Sequence, residues 1–211
     1  MIEEKYNELC SKPSDINEHL PTLKKYAEQC DHVTEMGVRK IVSTWALLAG
    51  NPQTMRSYDI VHPRRFGADI NEVYLAAEDT TDFVFTQADV LKTEIDQTDL
   101  LFIDTLHRAP QLRAELKMHA DKVNSYIILH DTTTFGERGE GGGDGLNIAL
   151  YEFLEQHPEW IIKEIFRNNN GLTVLERVDP EEYKMKSAGQ PVKKKNLISS
   201  SEKKNSIGPE E

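Results

Sequence analysis

Short segments typical of strands alternate with stretches of helical periodicity over most of the chain. The strand-like segments cover residues 32–38, 54–60, 82–89, 99–107 and 125–131. Between them, apolar side chains recur every three or four positions, as in an amphipathic helix. The runs Leu100–Ile103 and Tyr126–Leu129 are apolar without a break. Because a strand that is buried on both faces has no polar side, this pattern predicts a parallel sheet with helices on both faces.

The last two predicted strands follow each other directly. Residues 159–166 and 171–178 flank the sequence RNNNG, with no helix between them. Asn170-Gly171 favours a type I′ turn, since both central positions of that turn need a positive φ. We therefore predict an α/β fold of three layers, whose mostly parallel, seven-stranded sheet ends in an antiparallel hairpin.

The two ends of the chain differ from this body. Residues 1–14 are polar and contain Pro13, which indicates a loose arm, and residues 15–30 have the spacing of a helix. From Asp179 onward Lys, Ser, Glu, Gly and Pro dominate without periodicity, which is typical of disorder. We predict an N-terminal arm and helix over 1–30, one domain over 31–178 and a disordered tail over 179–211.

The composition argues against several classes of protein. The 211 residues carry a formal net charge of −11, whereas nucleic-acid binding needs a basic surface. Cys10 and Cys30 offer neither a disulfide framework nor zinc spacing, which favours free thiols in a reducing compartment. The sequence has no signal-peptide h-region and no apolar run of about 20 residues. We expect a cytoplasmic protein that binds neither nucleic acid nor a membrane.

Each predicted parallel strand delivers an acidic residue at or just after its carboxyl end. These residues are Glu35, Asp59, Asp89, Asp104 and Asp131. In an open parallel sheet, ligands bind beyond the carboxyl ends of the strands, near the reversal in strand order. The five acids are therefore expected at the edge of the sheet where a ligand binds.

Longer stretches around these acids resemble a known family. They are EMGVRKIVSTWALL, SYDI, FIDTLH, YIILHDTTTFG and NNNGLTVLER, and they span about residues 31–178. In order and spacing the chain resembles the class I S-adenosylmethionine-dependent methyltransferases, and among them the macrocin O-methyltransferase and cephalosporin-hydroxylase-like group. The resemblance implies the three-layer, Rossmann-like methyltransferase fold and S-adenosylmethionine as cofactor.

The resemblance implies cofactor-binding roles around the first strand. Gly37 lets the backbone approach the methionine part of the cofactor, where a Cβ would obstruct. Glu35 either receives the cofactor's ammonium group or fixes the loop. Ser43 and Thr44 cap the following helix and offer hydroxyls and amides to the cofactor's carboxylate. In each case the plain alternative is a turn glycine, a loop acid or a simple cap.

The second and third strands contribute one implied cofactor ligand each. Asp59 accepts hydrogen bonds from both ribose hydroxyls, as a carboxylate can. Asp89 lies near the adenine. Either residue is alternatively an ordinary acid at the end of a strand.

Ile41 departs from the pattern E-x-G-x-x-x-G that relatives carry, because it stands at the second glycine. A β-branched residue adopts a positive φ only at a cost and keeps the backbone further from a ligand. Either Ile41 packs inward at the start of the helix, or the site has lost affinity for the cofactor. We favour the first interpretation, because Ser43, Thr44 and Asp59 are present.

A second set of implied ligands follows strands four and five. In the resembling methyltransferases, acids here hold a divalent metal, Mg or Mn, that binds the acceptor's oxygens. Asp104, His130 and Asp131 are the predicted metal ligands, and the imidazole shifts the preference toward transition metals. The alternative for His130 is that it points into the core, since successive strand residues face opposite sides.

Asp104 and His107 are the predicted catalytic pair. His107 either acts as general base toward an acceptor hydroxyl or satisfies a backbone group at the start of a helix. The glycine-rich segment Thr132–Gly145 lacks the lysine of a P-loop. It is either a lid over the acceptor or a mobile connector.

We expect methyl transfer to an oxygen of a small polar or sugar-like acceptor, with assistance from a divalent metal left open. The partner is then a small molecule, and a homo-oligomer is left open. One rival is a hydroxylase-like metal enzyme on the same fold. Another is a non-catalytic binding protein that has lost the cofactor. A nicotinamide dehydrogenase is disfavoured, because G-x-G-x-x-G is absent.

Overall fold

The computed structural model describes residues 1–181 and 183, and one mixed sheet runs through the part up to Asp179. Within the described residues the strands are β1 (His32–Met36), β2 (Thr54–Asp59), β3 (Asp82–Gln87), β4 (Thr98–Ile103), β5 (Val123–His130), β6 (Trp160–Phe166) and β7 (Leu172–Arg177). The α-helices are α1 (Ile2–Ser11), α2 (Leu20–Ala27), α3 (Val42–Ala49), α4 (Ile70–Ala77), α5 (Ala109–His119) and α6 (Leu146–Gln156).

The strands lie in the order β3-β2-β1-β4-β5-β7-β6, and β7 is antiparallel to both of its neighbours. The predicted fold class is therefore confirmed. The order reverses between β1 and β4, so the crevice beyond the carboxyl ends of these strands is the expected place for a ligand.

Two apolar cores lie on opposite faces of the sheet. On β4, Leu100 and Phe102 belong to the core that α1 to α4 cover. Leu101 and Ile103 belong to the core that α5 and α6 cover. Successive side chains of a strand point to opposite faces, so a strand between two helical layers needs an unbroken apolar run.

The loose arm predicted for residues 1–14 is wrong, because most of it forms α1. Ile2, Tyr6 and Leu9 recur at helical spacing and pack on the core that contains α3, with Tyr6 buried. Pro13 lies after the helix, where it breaks no helical hydrogen bond. The predicted disordered tail, 179–211, lies outside the described residues except for 179–181 and 183.

The predicted hairpin is present, but its connection is longer than a two-residue type I′ turn. β6 ends at Phe166 and β7 begins at Leu172. Asn169, Asn170 and Gly171 all have positive φ, which asparagine and glycine tolerate best.

The hairpin loop binds the segment between α1 and α2, and we call these contacts the asparagine bracket (Asn168, Asn169 and Asn170 with Ser14–His19). The Asn169 side chain accepts from the Glu18 amide at 2.9 Å and donates to the Ser14 carbonyl at 2.8 Å. The Asn168 side chain donates to the Glu18 carboxylate. The Asn170 carbonyl accepts from the amides of Thr133 and Thr134, just after β5. The bracket therefore joins the N-terminal segment to the edge of the sheet that carries the acids.

Candidate active site

A cavity of about 490 Å³ opens at the carboxyl ends of β1 to β4. Gly37, Asp59, Asp89 and Asp104 line it, one from the end of each strand. Its apolar lining consists of Tyr58, Ile60, Phe66, Val90, Leu91 and Leu106. Small-molecule sites have volumes of about 300–1,000 Å³ and apolar walls with a few polar groups. The cavity meets both criteria.

Asp59 is fixed by the loop that follows β1. Its Oδ2 accepts from the amides of Val38 and Arg39 at 2.8 and 2.9 Å, and its Oδ1 accepts from the amide of Val61 at 2.8 Å. A carboxylate has about four acceptor positions, so one remains for a ligand. Asp59 therefore shapes the loop and faces the cavity at the same time.

Gly37 is required by its own backbone and by a neighbouring strand. Its φ of 91° lies in the region that favours glycine, and a Cβ would come within 1.9 Å of the Asp104 carbonyl oxygen. The predicted reason, close approach to a ligand, is therefore joined by a second one. Because glycine has no side chain, the ends of β1 and β4 can lie close together at the reversal in strand order.

Ile41 is the N-cap of α3 and has a φ of 57°, in the left-handed region. Its side chain is buried in the core beneath α1 to α4 and is not among the residues that line the cavity. The backbone therefore keeps the conformation that glycine would adopt, while the side chain points inward. This geometry favours the first of the two interpretations above.

Glu35 lies in a buried cluster of hydroxyls. It accepts from Ser43 at 2.6 Å, from Thr44 at 2.9 Å and from Ser57 at 2.6 Å. Burial raises the pKa of Glu35 to about 7, although the three hydroxyls oppose the rise. These contacts connect β1, β2 and α3, which favours the loop-fixing role over the ammonium contact.

Ser43 and Thr44 do not cap α3, contrary to the prediction. They lie inside the helix, whose N-cap is Ile41, and no side-chain cap hydrogen bond is present. Their hydroxyls donate to Glu35 instead. Ser43 lines a second, smaller cavity of about 90 Å³, which shares Gly37 and Asp104 with the main one.

Asp89 caps the turn that follows β3. Its carboxylate accepts from the amide of Leu91 at 3.0 Å and pairs with Lys92 at 3.0 Å. Hydrogen bonds from Lys92 and Leu91 hold the pKa of Asp89 below its usual range. The residue lines the cavity, and its predicted place near the adenine stays a prediction.

Two carboxylates and two imidazoles meet at the ends of β4 and β5, and we call them the acid–imidazole cluster (Asp104, His107, His130 and Asp131). His107 Nε2 lies 2.8 Å from Asp131 and 3.3 Å from Asp104. Among the described residues, Asp104, His107 and Asp131 offer ligand atoms within 4.8 Å of one another. His107 thus occupies a place that the sequence prediction gave to His130.

The charges in the acid–imidazole cluster reinforce one another. Burial would raise the pKa of Asp104, but the hydrogen bond from His107 and the charge of the nearby His130 ring hold it well below its usual range. Burial would lower the pKa of His107, but Asp104 and Asp131 outweigh it and raise that pKa to about 10. The His107 ring is therefore protonated on both nitrogens and positively charged in this arrangement. It contacts carboxylates rather than a backbone group.

His130 is buried, with its side chain only 1 % exposed. Its Nδ1 lies 3.2 Å from Asp131 and 3.6 Å from Asp104, without the alignment of a hydrogen bond. Its ring contacts the edge of the buried His19 ring, with 5.6 Å between the centroids. Both alternatives for His130 are thus partly met: the ring lies in the core, and one nitrogen faces the carboxylates.

The glycine-rich segment Thr132–Gly145 folds over His107. Arg138 and Asp144 form an antiparallel bridge, and the amide of Glu140 donates to the His107 carbonyl at 2.9 Å. The Glu140 carboxylate lies 3.2 Å from His107 Nδ1, and the Phe135 ring stacks on the imidazole at 4.7 Å. The segment therefore lies where a lid would, and its backbone is hydrogen-bonded.

Several residues of the site escaped sequence reasoning. Ser57 completes the hydroxyl cluster around Glu35. The sequence feature that could have indicated this residue is its position on β2, two residues before Asp59. Arg39 lines both cavities and pairs with Asp15 at 2.6 Å. Gln111 lines the main cavity from α5, and nothing local in the sequence indicates that.

Solved structures with this arrangement of strands are known. The N-methyltransferase NodS from Bradyrhizobium japonicum, in complex with S-adenosyl-L-homocysteine, aligns over 84% of this chain and 99% of its own, with a TM-score of 0.58 at 11% identity. Magnesium protoporphyrin IX methyltransferase from Synechocystis, with bound S-adenosylhomocysteine, aligns over 83% and 93%, with a TM-score of 0.58 at 13% identity.

An O-methyltransferase family protein from Burkholderia thailandensis aligns over 84% of this chain and 59% of its own, with a TM-score of 0.59 at 11% identity. The chain described here has the Rossmann-like methyltransferase fold. No family model and no curated protein matches the sequence. Within the methyltransferase fold of this chain, the cavity and the acid–imidazole cluster meet at Asp104.

None of the helices described here is both long and apolar enough to span a bilayer.

Proposed function

We propose that the protein is an S-adenosylmethionine-dependent methyltransferase. The observation that carries the proposal is the cavity at the reversal in strand order, which Asp59 lines together with several apolar side chains. An apolar wall suits a nucleobase, and the one spare acceptor position of the Asp59 carboxylate suits one hydroxyl of a ribose, not both as the sequence prediction had it. The residues therefore fit the cofactor, which when bound supplies an activated methyl group.

We further propose an oxygen of a small polar or sugar-like molecule as the acceptor, as in the macrocin O-methyltransferase-like group. The acid–imidazole cluster lies next to the cavity, beneath Thr132–Gly145. Once His107 has released its extra proton, two carboxylates and an imidazole form a donor set that fits a divalent metal, which when bound lowers the pKa of a hydroxyl. The chain's own part is to position the acceptor and exclude water. The reducing compartment expected from the cysteines makes the cytoplasm the proposed location.

Binding of S-adenosylhomocysteine tests the cofactor assignment. We expect Asp59→Ala to weaken binding by roughly 100-fold, since hydrogen bonds to a charged group are each worth about 1.5–3 kcal/mol. Isothermal titration measures the affinity. Asp69→Ala is the matched control, because Asp69 caps α4 through a similar bond to a backbone amide and lies outside the cavity. Equal affinity in wild type and Asp59→Ala contradicts the assignment, and no heat at millimolar ligand favours the binding-protein alternative.

Titration with Mn²⁺ tests the metal. We expect Asp104→Ala to weaken Mn²⁺ binding at least about 10-fold, because it removes one of the carboxylates of the donor set, and to leave S-adenosylhomocysteine binding within about threefold. Asp144→Asn, an exposed acid in the segment over His107, controls for the loss of one negative charge. Unchanged Mn²⁺ binding in Asp104→Ala excludes this donor set. Oxygen uptake by the metal-loaded protein would instead support the hydroxylase-like alternative.

A further inference from the structure

Glu115, on α5, is a buried carboxylate that the proposed function does not use. It is fully buried, and its Oε1 accepts from the Thr105 hydroxyl at 2.6 Å and from Gln111 Nε2 at 2.8 Å. Its Oε2 is buried without a hydrogen-bond partner among the described residues. Both of its partners, Thr105 and Gln111, line the 490 Å³ cavity.

These contacts fix the direction of the Gln111 amide. While Glu115 is ionised, the oxygen that faces Gln111 is an acceptor. Gln111 must therefore present its NH₂ group to Glu115. Its carbonyl oxygen is left without a partner in the described residues and is available to the cavity.

Gln111 lines the same cavity as several apolar side chains, among them Leu91 and Leu106. His119, on the same helix, donates from Nε2 to the Val90 carbonyl at 2.9 Å, which holds α5 against the turn Val90–Lys92. A flat base between apolar walls would meet a hydrogen-bond acceptor at its edge here.

We propose that Glu115 is a positioning residue that holds the Gln111 amide oxygen toward the cavity, and that this oxygen selects a nucleobase carrying an amino group over one carrying a carbonyl. The inference rests on the proposed function, because it assumes that the cavity takes a nucleoside. An amino group donates to the amide oxygen, whereas a carbonyl in its place would put two acceptors together.

The variant Glu115→Gln is expected to turn Gln111 around. With the new NH₂ group at the partnered position, its two N–H groups reach the Thr105 hydroxyl and the Gln111 carbonyl, and only an acceptor stays unpaired. The opposite orientation leaves two donors buried without partners. Unpaired buried N–H groups are rarer in proteins than unpaired carbonyls, so the first orientation is favoured. Gln111 then presents its NH₂ group to the cavity.

Isothermal titration with S-adenosylhomocysteine and S-inosylhomocysteine tests this, because the two differ in having a 6-amino or a 6-oxo group. We expect the wild type to prefer the amino compound by about 10-fold. Glu115→Gln should reduce that ratio to about two or reverse it, whereas mere destabilisation would weaken both compounds alike. Gln111→Ala, which leaves Glu115 intact, should also reduce the ratio to about two and decides the matter if Glu115→Gln does not fold.

The outcomes separate this inference from the proposed function. If the wild type binds neither compound, the proposed function fails. If it binds both equally, or if folded Gln111→Ala keeps the wild-type ratio, only the selection by Gln111 is overturned. If Gln111→Ala loses the preference and folded Glu115→Gln retains it, Glu115 is not the positioning residue.

Discussion

Ile41 occupies a left-handed backbone conformation that costs an L-residue about 1–2 kcal/mol. Its side chain is 5% exposed, and burying an isoleucine stabilises a core by more than that cost. Compared with glycine, isoleucine at this position costs free energy because of the positive φ, and it gains free energy from apolar contacts beneath the loop. Because the Ile41 side chain does not line the cavity, isoleucine in place of glycine gives no reason to expect a loss of cofactor binding.

Two variants at residue 41 measure this balance. Both Ile41→Gly and Ile41→Ala lose the buried side chain, but only glycine relieves the positive φ. We therefore expect both to be destabilised and the glycine variant to be more stable than the alanine variant by about 1 kcal/mol, the reverse of the usual order in an extended or helical position. Urea denaturation measures both. An alanine variant more stable than the glycine variant would contradict a strained residue 41.

The sequence indicated which residues lie at the site better than it indicated their contacts. Asp59, Asp104 and Asp131 lie at the strand ends, as the order of elements requires. The place of His107 in the acid–imidazole cluster depends on β4 and β5 being neighbours, and residue spacing does not give the distance between them. The sequence also did not show that Glu35 faces three hydroxyls rather than the cavity, because these hydroxyls come from two other elements, β2 and α3.

At the scale of elements, β4 and β5 were the most predictable strands, because burial on both faces leaves a continuous apolar run in each. α1 was not predictable, because five glutamate, lysine and asparagine residues in its first seven positions hide the stripe formed by Ile2, Tyr6 and Leu9. The segment Thr132–Gly145 was also ambiguous. Its order comes from hydrogen bonds to His107 and to its own far end, and glycine content alone does not encode these contacts.

At the scale of the whole molecule, Glu35 links the pH to the stability of the fold. Its pKa is raised by burial from 4.5 to about 7. Between these values the unfolded chain releases a proton that the folded protein keeps, so the free energy of unfolding falls as the pH rises. The contribution of this group is at most about 1.4 kcal/mol per pH unit. Above about pH 7 the carboxyl is ionised in both states and the loss is complete.

Glu35→Gln removes this titration, so it isolates the effect. We expect the difference in unfolding free energy between wild type and variant to shift against the wild type from about pH 5 to 7 and then to level off. Urea denaturation across this range measures it. Glu72→Gln, on the exposed side of α4, controls for the loss of one carboxylate. A wild-type-minus-variant difference that does not change with pH would show that Glu35 is already ionised in the folded protein.

The asparagine bracket has a consequence for how the protein is made. Glu18 and the Asn169 side chain that binds it are 151 positions apart, so the segment before α2 must wait for the loop between β6 and β7 before these contacts can form. During synthesis β1 to β5 emerge before the strand that completes the sheet beside β5. The wall that Asp15 and Ile16 give to the smaller cavity is therefore fixed only after translation has passed the final hairpin.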